Sequence, residues 1–222
     1  MKNPLLLALF VLGICLFVVF YLVSAIMYRK RHETKYHFFQ MFPYELNYPG
    51  IFRENVYGNF LLILSCGAVI AFYQISPFKT IYSIVAIALS ILSTMLLILL
   101  LLLPLRYLRT HMALSVASMT ISAVLPLFNL FLAFNQYKVA TEDAYKIVCI
   151  ISMVVSGLLS LTMLLLILNP KLSFNIYYDK EIDEQGNEVL KRPKLIYLAL
   201  NEWWSFFIFF LSPIGIVLIS LF

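Results

Sequence analysis

The chain has 222 residues, of which 63% are hydrophobic and only 12% charged, with a formal net charge of +5. A soluble domain usually carries about 25% charged residues, so the composition excludes an ordinary water-solvated surface. The charges that exist fall in short clusters between long uncharged runs, the pattern of a polytopic membrane protein.

Six apolar runs, 4–27, 57–75, 81–103, 113–134, 147–168 and 203–222, each contain no Asp, Glu, Lys, Arg or His. Each is close to the roughly 20 residues that a helix needs to cross a hydrocarbon core. Backbone groups in lipid must bond within their own segment, and "MLLILLLLLPL" lacks the alternation of a barrel strand. The expected fold is all-α: one membrane domain, 1–222, a bundle of about six transmembrane helices. Its longer loops are 28–56, 104–112 and 169–202.

The first run could be a signal peptide, since "VSA" before Ile26 resembles a cleavage site. It is longer than the roughly 7–15 residues of a signal core, and its main positive cluster follows it, so a retained helix is expected. "LGIC" around Cys15 departs from a lipoprotein motif because Ile14 is too large for the residue before the cysteine. Cys15, Cys66 and Cys149 all lie in apolar runs, without C-x-x-C spacing, and read as packing residues.

Basic residues are retained on the cytoplasmic side. With the amino terminus outside, the cytoplasmic loops hold twelve basic residues and the exterior four, Lys2, Lys79, Lys138 and Lys146. Both termini are therefore expected outside, in a membrane taken to be a bacterial cytoplasmic one. Arg29, Lys30, Arg31 and Lys35 form the densest cluster. They are topology anchors and a candidate anionic-lipid contact at about 1 kcal/mol per basic residue near the surface.

Next comes "HFFQMFPYELNYP". Phe38, Phe39, Met41 and Phe42 can share one face of a short helix that Pro43 would end. The stretch reads either as an interfacial elbow or as an aromatic loop packed on the bundle ends. Farther on, "FNIYYDKEIDEQGNEVLKRPKLI" reads as two β-prone runs around Gly186 and Asn187, a small cytoplasmic hairpin over 174–196. An isolated hairpin is marginal in water, so it needs a surface to lean on.

Reactive constellations are sparse. His32 and His37 in "HETKYH" stand five apart and would point about 140° away from each other on a helix, against a zinc-protease motif. Asp179, Glu181 and Asp183 imitate a calcium loop, but the glycine stands at 186 rather than 184. The scattered glycines form no phosphate loop, and no basic stripe suits nucleic acid. All three histidines fall outside the apolar runs, so neither an intramembrane relay nor a proton-coupled path is expected. No catalytic residue, cofactor or metal is expected.

Polar residues inside the runs do fall into register. Ser115, Ser118, Ser122 and Asn129 share one face of the fourth run beside Pro126, and His111 lies on the same line. Ser83, Ala86, Ser90 and Thr94 line the third, and Ser152, Ser156 and Ser160 the fifth. Small residues at this spacing let helices approach closely, which suggests a core of spans three to five. The same stripe could instead line a path for a neutral solute. Two functions follow: a non-enzymatic membrane subunit or scaffold that holds a protein partner through 28–56 and 169–202, or a permease for a neutral or lipid-like solute.

Overall fold

The computed structural model describes residues 3–48, 53–103, 105–172, 179–182 and 188–222. The helices are α1 (Pro4–His32), α2 (Val56–Ile75), α3 (Ile81–Leu102), α4 (Leu108–Val139), α5 (Asp143–Ile167), α6 (Tyr197–Leu211) and α7 (Ile214–Ser220). Among the described residues, six segments are long and apolar enough to cross a membrane: α1, Arg53–Ile75, α3, α4, α5 and Tyr197–Ser220.

The surface is inverted relative to a soluble protein. Val11, Leu12, Val18, Leu22 and Ile26 of α1 are exposed, as are Ile150, Val154, Leu158, Leu161 and Leu165 of α5. Water-soluble monomers rarely present contiguous apolar faces of that extent. Inside lie Ser24, Ser65, Ser90, His111, Ser115, Asn129, Ser152 and Glu202, all fully buried. Lipid outside and hydrogen-bonding side chains inside account for both observations.

The sixth segment is the axis of the bundle. Its most apolar window is 72% buried, against 22% for α1 and for α5. The centre is therefore not spans three to five alone. Small residues permit the close approaches: Ser65 Oγ donates to Gly13 O at 2.6 Å, Ser160 Oγ to Ala123 O at 2.6 Å and Ser152 Oγ to Gly215 O at 2.8 Å. Each ties one helix to the backbone of another.

Several helices outrun their apolar runs, α5 by four residues at its start. α1 continues through the basic cluster to His32, placing cations in its last turn where the helix dipole favours them. It closes on Glu33, whose φ of 57° lets its N–H reach Arg29 O. α4 begins at Leu108, five residues before the apolar run, and passes Pro126 unbroken. α6 begins at Tyr197, six residues early. These extensions draw His111 and Glu202 into the helices, so the expectation of spans without ionisable side chains is corrected.

The aromatic stretch also differs from the short helix expected of it. His37 O accepts from Gln40 N and Met41 N in a tight turn, and Pro43 opens a 3₁₀ turn, Pro43–Asn47, rather than ending a helix. A proline lacks the N–H that a first helical position leaves unpaired anyway. Phe42 and Leu46 are fully buried, while Phe39 is half-exposed, so the stretch packs on the bundle end. Farther along the chain, β1 (Asp179–Ile182) and β2 (Glu188–Lys191) pair antiparallel, Asp179 opposite Lys191 and Ile182 opposite Glu188. The expected turn at Gly186 and Asn187, and residues 174–178 of the hairpin, lie outside the described residues.

Candidate functional site

At the end of the bundle where α1 finishes and α6 starts, three features converge: a buried polar cluster, a welded pair of loops and a cleft. The cluster is His111, Ser115 and Glu202. One turn of α4 separates His111 from Ser115, which puts both on the face turned to α6. Glu202 Oε1 lies 2.9 Å from His111 Nε2 and 2.6 Å from Ser115 Oγ. The side chains of His111 and Glu202 are both 0% exposed.

Counting donors fixes the charge. His111 Nδ1 stands 2.7 Å from Leu103 O, so Nδ1 carries a hydrogen and donates it. One further proton lies between Nε2 and Oε1. Whether the imidazole or the carboxyl owns it, the pair is net neutral, which is how two ionisable groups tolerate full burial. Phe42 and Tyr44 meet the imidazole edge-on at 6.1 and 5.5 Å. Ser115 faces the carboxylate and not the imidazole. Its effect is to clamp α4, α6 and the carboxyl end of α3 together. Glu202 Oε2 is buried with no hydrogen bond among the described residues.

Ser122 and Asn129, farther along the expected polar face, also turn to the sixth segment. Ser122 Oγ donates weakly to Ser205 O at 3.4 Å. Ser118 Oγ is buried without a hydrogen-bond partner among the described residues. Asn129 Nδ2 reaches Ser212 O at 2.8 Å, Ser212 Oγ at 3.0 Å and Tyr73 Oη at 2.9 Å. Ser212 and Pro213 separate α6 from α7, so Asn129 ties α2 and α4 to the break in the sixth span. Ser115, Ser118, Ser122 and Asn129 thus lie on one buried face, in two clusters a few turns apart.

The second feature welds loop to loop. Arg192, directly after β2, grips Glu45 with both arms: Nη1 to Oε2 at 2.9 Å and Nη2 to Oε1 at 2.7 Å. It also reaches Gln40 O at 3.2 Å. Ile196 N donates to Phe39 O at 2.9 Å, and the Trp203 indole N–H stands 3.1 Å from both Tyr36 Oη and Met41 O. Bidentate arginine–carboxylate pairs fix geometry as well as adding energy. Burial and then the nearby Glu45 carboxylate hold the phenols of Tyr36 and Tyr44 well above the usual tyrosine range, so both stay neutral donors.

The basic cluster divides. Arg31 is spent on the loop, with Nη2 at 2.5 Å from Leu46 O, Nη1 at 3.1 Å from Tyr48 O and an ion pair to Glu54 at 3.6 Å. Arg29, Lys30 and Lys35 are exposed. His32 at the end of α1 meets Tyr48 O through Nε2 at 3.2 Å.

The sequence reading missed His111 as a partner and Glu202, Glu45 and Arg192 altogether. His111 had a signal, its alignment with the serine stripe. Glu202 had one too: "LIYLALNEWWSFFIFF" is a single helical run once the scan is not stopped at its charge. Glu45 and Arg192 lie 147 residues apart, beyond any local pattern. No family model, curated protein or solved structure matches the chain.

Proposed function

We propose that the chain is a non-enzymatic multi-pass membrane subunit or scaffold that presents its two long loops to a protein partner as one platform. The observation that carries this reading is the bidentate Glu45–Arg192 pair, which joins the first loop to the segment bearing the β1–β2 ladder. The charge count supports a cytoplasmic location for that platform. Both strands of a two-stranded ladder are edge strands, the kind of surface that a partner's strand can extend.

Purification in mild detergent tests it. The proposal expects a stoichiometric soluble partner that is lost when 180–191 are deleted, with the bundle still folded. Glu202 Oε2 and Asn129 Oδ1, buried with no hydrogen bond among the described residues, favour one rival, a permease for a neutral or lipid-like solute. A folded, partner-free chain that moves such a solute into proteoliposomes would replace the first reading with the second.

A further inference from the structure

Beside the platform is a cleft of about 520 Å³ whose wall includes Tyr44, Glu45, Tyr48 and Arg192. Two rings cover the imidazole of His111, and they differ in what else they border. Phe42 is fully buried and forms no part of the cleft wall. Tyr44 is half-buried, lines the cleft and meets the imidazole at 5.5 Å. Of Phe42, Tyr44 and Ser115, the side chains around the His111–Glu202 pair, Tyr44 alone also borders the cleft. Its hydroxyl is pinned to the weld: Tyr44 Oη stands 3.4 Å from Glu45 Oε1, the oxygen that Arg192 Nη2 holds at 2.7 Å.

The surroundings bring the pair little net charge. Glu45 and Arg192 form an ion pair with each other. Arg109 is exposed and stands about 200° around α4 from His111. α3, and α5 beyond Cys149, carry no Asp, Glu, Lys, Arg or His. The Glu202 carboxylate helps to raise the phenols of Tyr36 and Tyr44, which stay neutral. Within the pair, Glu202 Oε2 is buried with no hydrogen bond among the described residues, so it is the atom open to a further proton. A proton passing from a hydronium ion in the cleft to Oε2 would leave an imidazolium beside a neutral carboxyl, with a net charge of one and an O–H in need of an acceptor. Full burial disfavours that state strongly. Water entering from the cleft would solvate the charge and accept from the O–H, so uptake turns on the ring that stands between.

We infer that the His111–Glu202 pair is a proton-binding site whose access from the cleft is closed by the ring of Tyr44. Ionisable side chains inside a membrane span are costly and mark sites of this kind. The inference does not depend on the scaffold reading, because it requires no protein partner.

The test uses the full chain in maltoside micelles. Mass spectrometry follows deuterium exchange at the imidazole C2 position, which needs water at the ring, with the exposed His37 as the internal reference. In the unchanged chain His111 should exchange far more slowly than His37. Tyr44→Ala should speed His111 by about tenfold or more, and Tyr44→Val, which keeps more of the packing, should do the same. Tyr44→Phe keeps the ring and should keep the protection. So should Tyr48→Ala, since Tyr48 lines the same cleft but is 56% exposed and away from the imidazole. Infrared difference spectra on acidification should show one additional protonated carboxyl in Tyr44→Ala or Tyr44→Val and none in Tyr44→Phe. The inference is overturned if His111 already exchanges as fast as His37 in the unchanged chain. It is overturned equally if His111 stays protected in a folded Tyr44→Ala or Tyr44→Val chain, if Tyr48→Ala opens it as much, or if no additional carboxyl is protonated.

Discussion

Replacing Glu202 by methionine removes a carboxylate of similar length while leaving apolar volume in its place. Ser115 loses little, since its hydroxyl can still donate to His111 O at 2.9 Å. The cost falls on His111, whose Nε2 then faces no partner at 0% exposure. Breaking a buried pair from one side costs about 3–5 kcal/mol. His111→Leu should cost a similar amount, because it strands the carboxylate. The double variant strands only Leu103 O, the other partner of the imidazole, at about 1–3 kcal/mol. The double should therefore be more stable than either single variant. Unfolding in mixed micelles by a dodecyl sulfate titration, followed by tryptophan fluorescence, measures all four proteins. If the double variant loses the sum of the single losses, the two side chains do not act as a neutral unit and the donor counting is wrong.

Asn129→Ala should cost about 1–3 kcal/mol by freeing the buried groups of Ser212 and Tyr73, and proteoliposome uptake of neutral solutes should not change. Gly215→Ala drives a methyl group into Ser156 Oγ and against Ser152 Oγ, so a loss of about 1–3 kcal/mol is expected, partly restored by adding Ser156→Ala. Because the phenols of Tyr36 and Tyr44 are raised above their unfolded value near 10, their neutral forms contribute stability fully below pH 10 and lose it as pH rises further. Absorbance at 295 nm in a pH titration should show these two ionising only as the chain unfolds. A protease-cleavable tag fused after Phe222 should be cut in sealed, right-side-out cells, and protection would reverse the threading.

Most of the helical architecture was legible, because a bilayer imposes one rule that a single sequence displays: long runs without charge. The same rule hid the helix ends. Helices continue through Arg29, His111 and Glu202, since a charged side chain at a span's edge can be satisfied by its neighbours while a scan for apolar residues stops at it. The stripe Ser115, Ser118, Ser122 and Asn129 was visible from spacing alone, but what it faces was not. The sixth segment sits at the centre, and nothing in "SFFIFFLSPIG" distinguishes a central helix from a lipid-facing one. The aromatic stretch misled because Phe38, Phe39, Met41 and Phe42 fit helical spacing, whereas their packing comes from Trp203 and Tyr21, far away in sequence. Glu45 and Arg192 carried no signal before the fold joined them.

The rigidity of the loop platform is the claim on which the functional account stands. Spin labels at Lys35 and Lys194, both exposed and on either side of the Glu45–Arg192 weld, report it directly by pulsed dipolar spectroscopy in nanodiscs. One narrow distance distribution that broadens in Arg192→Gln is the expected result. A broad distribution that is the same with and without Arg192 would mean that the two loops move independently, and the platform would not exist.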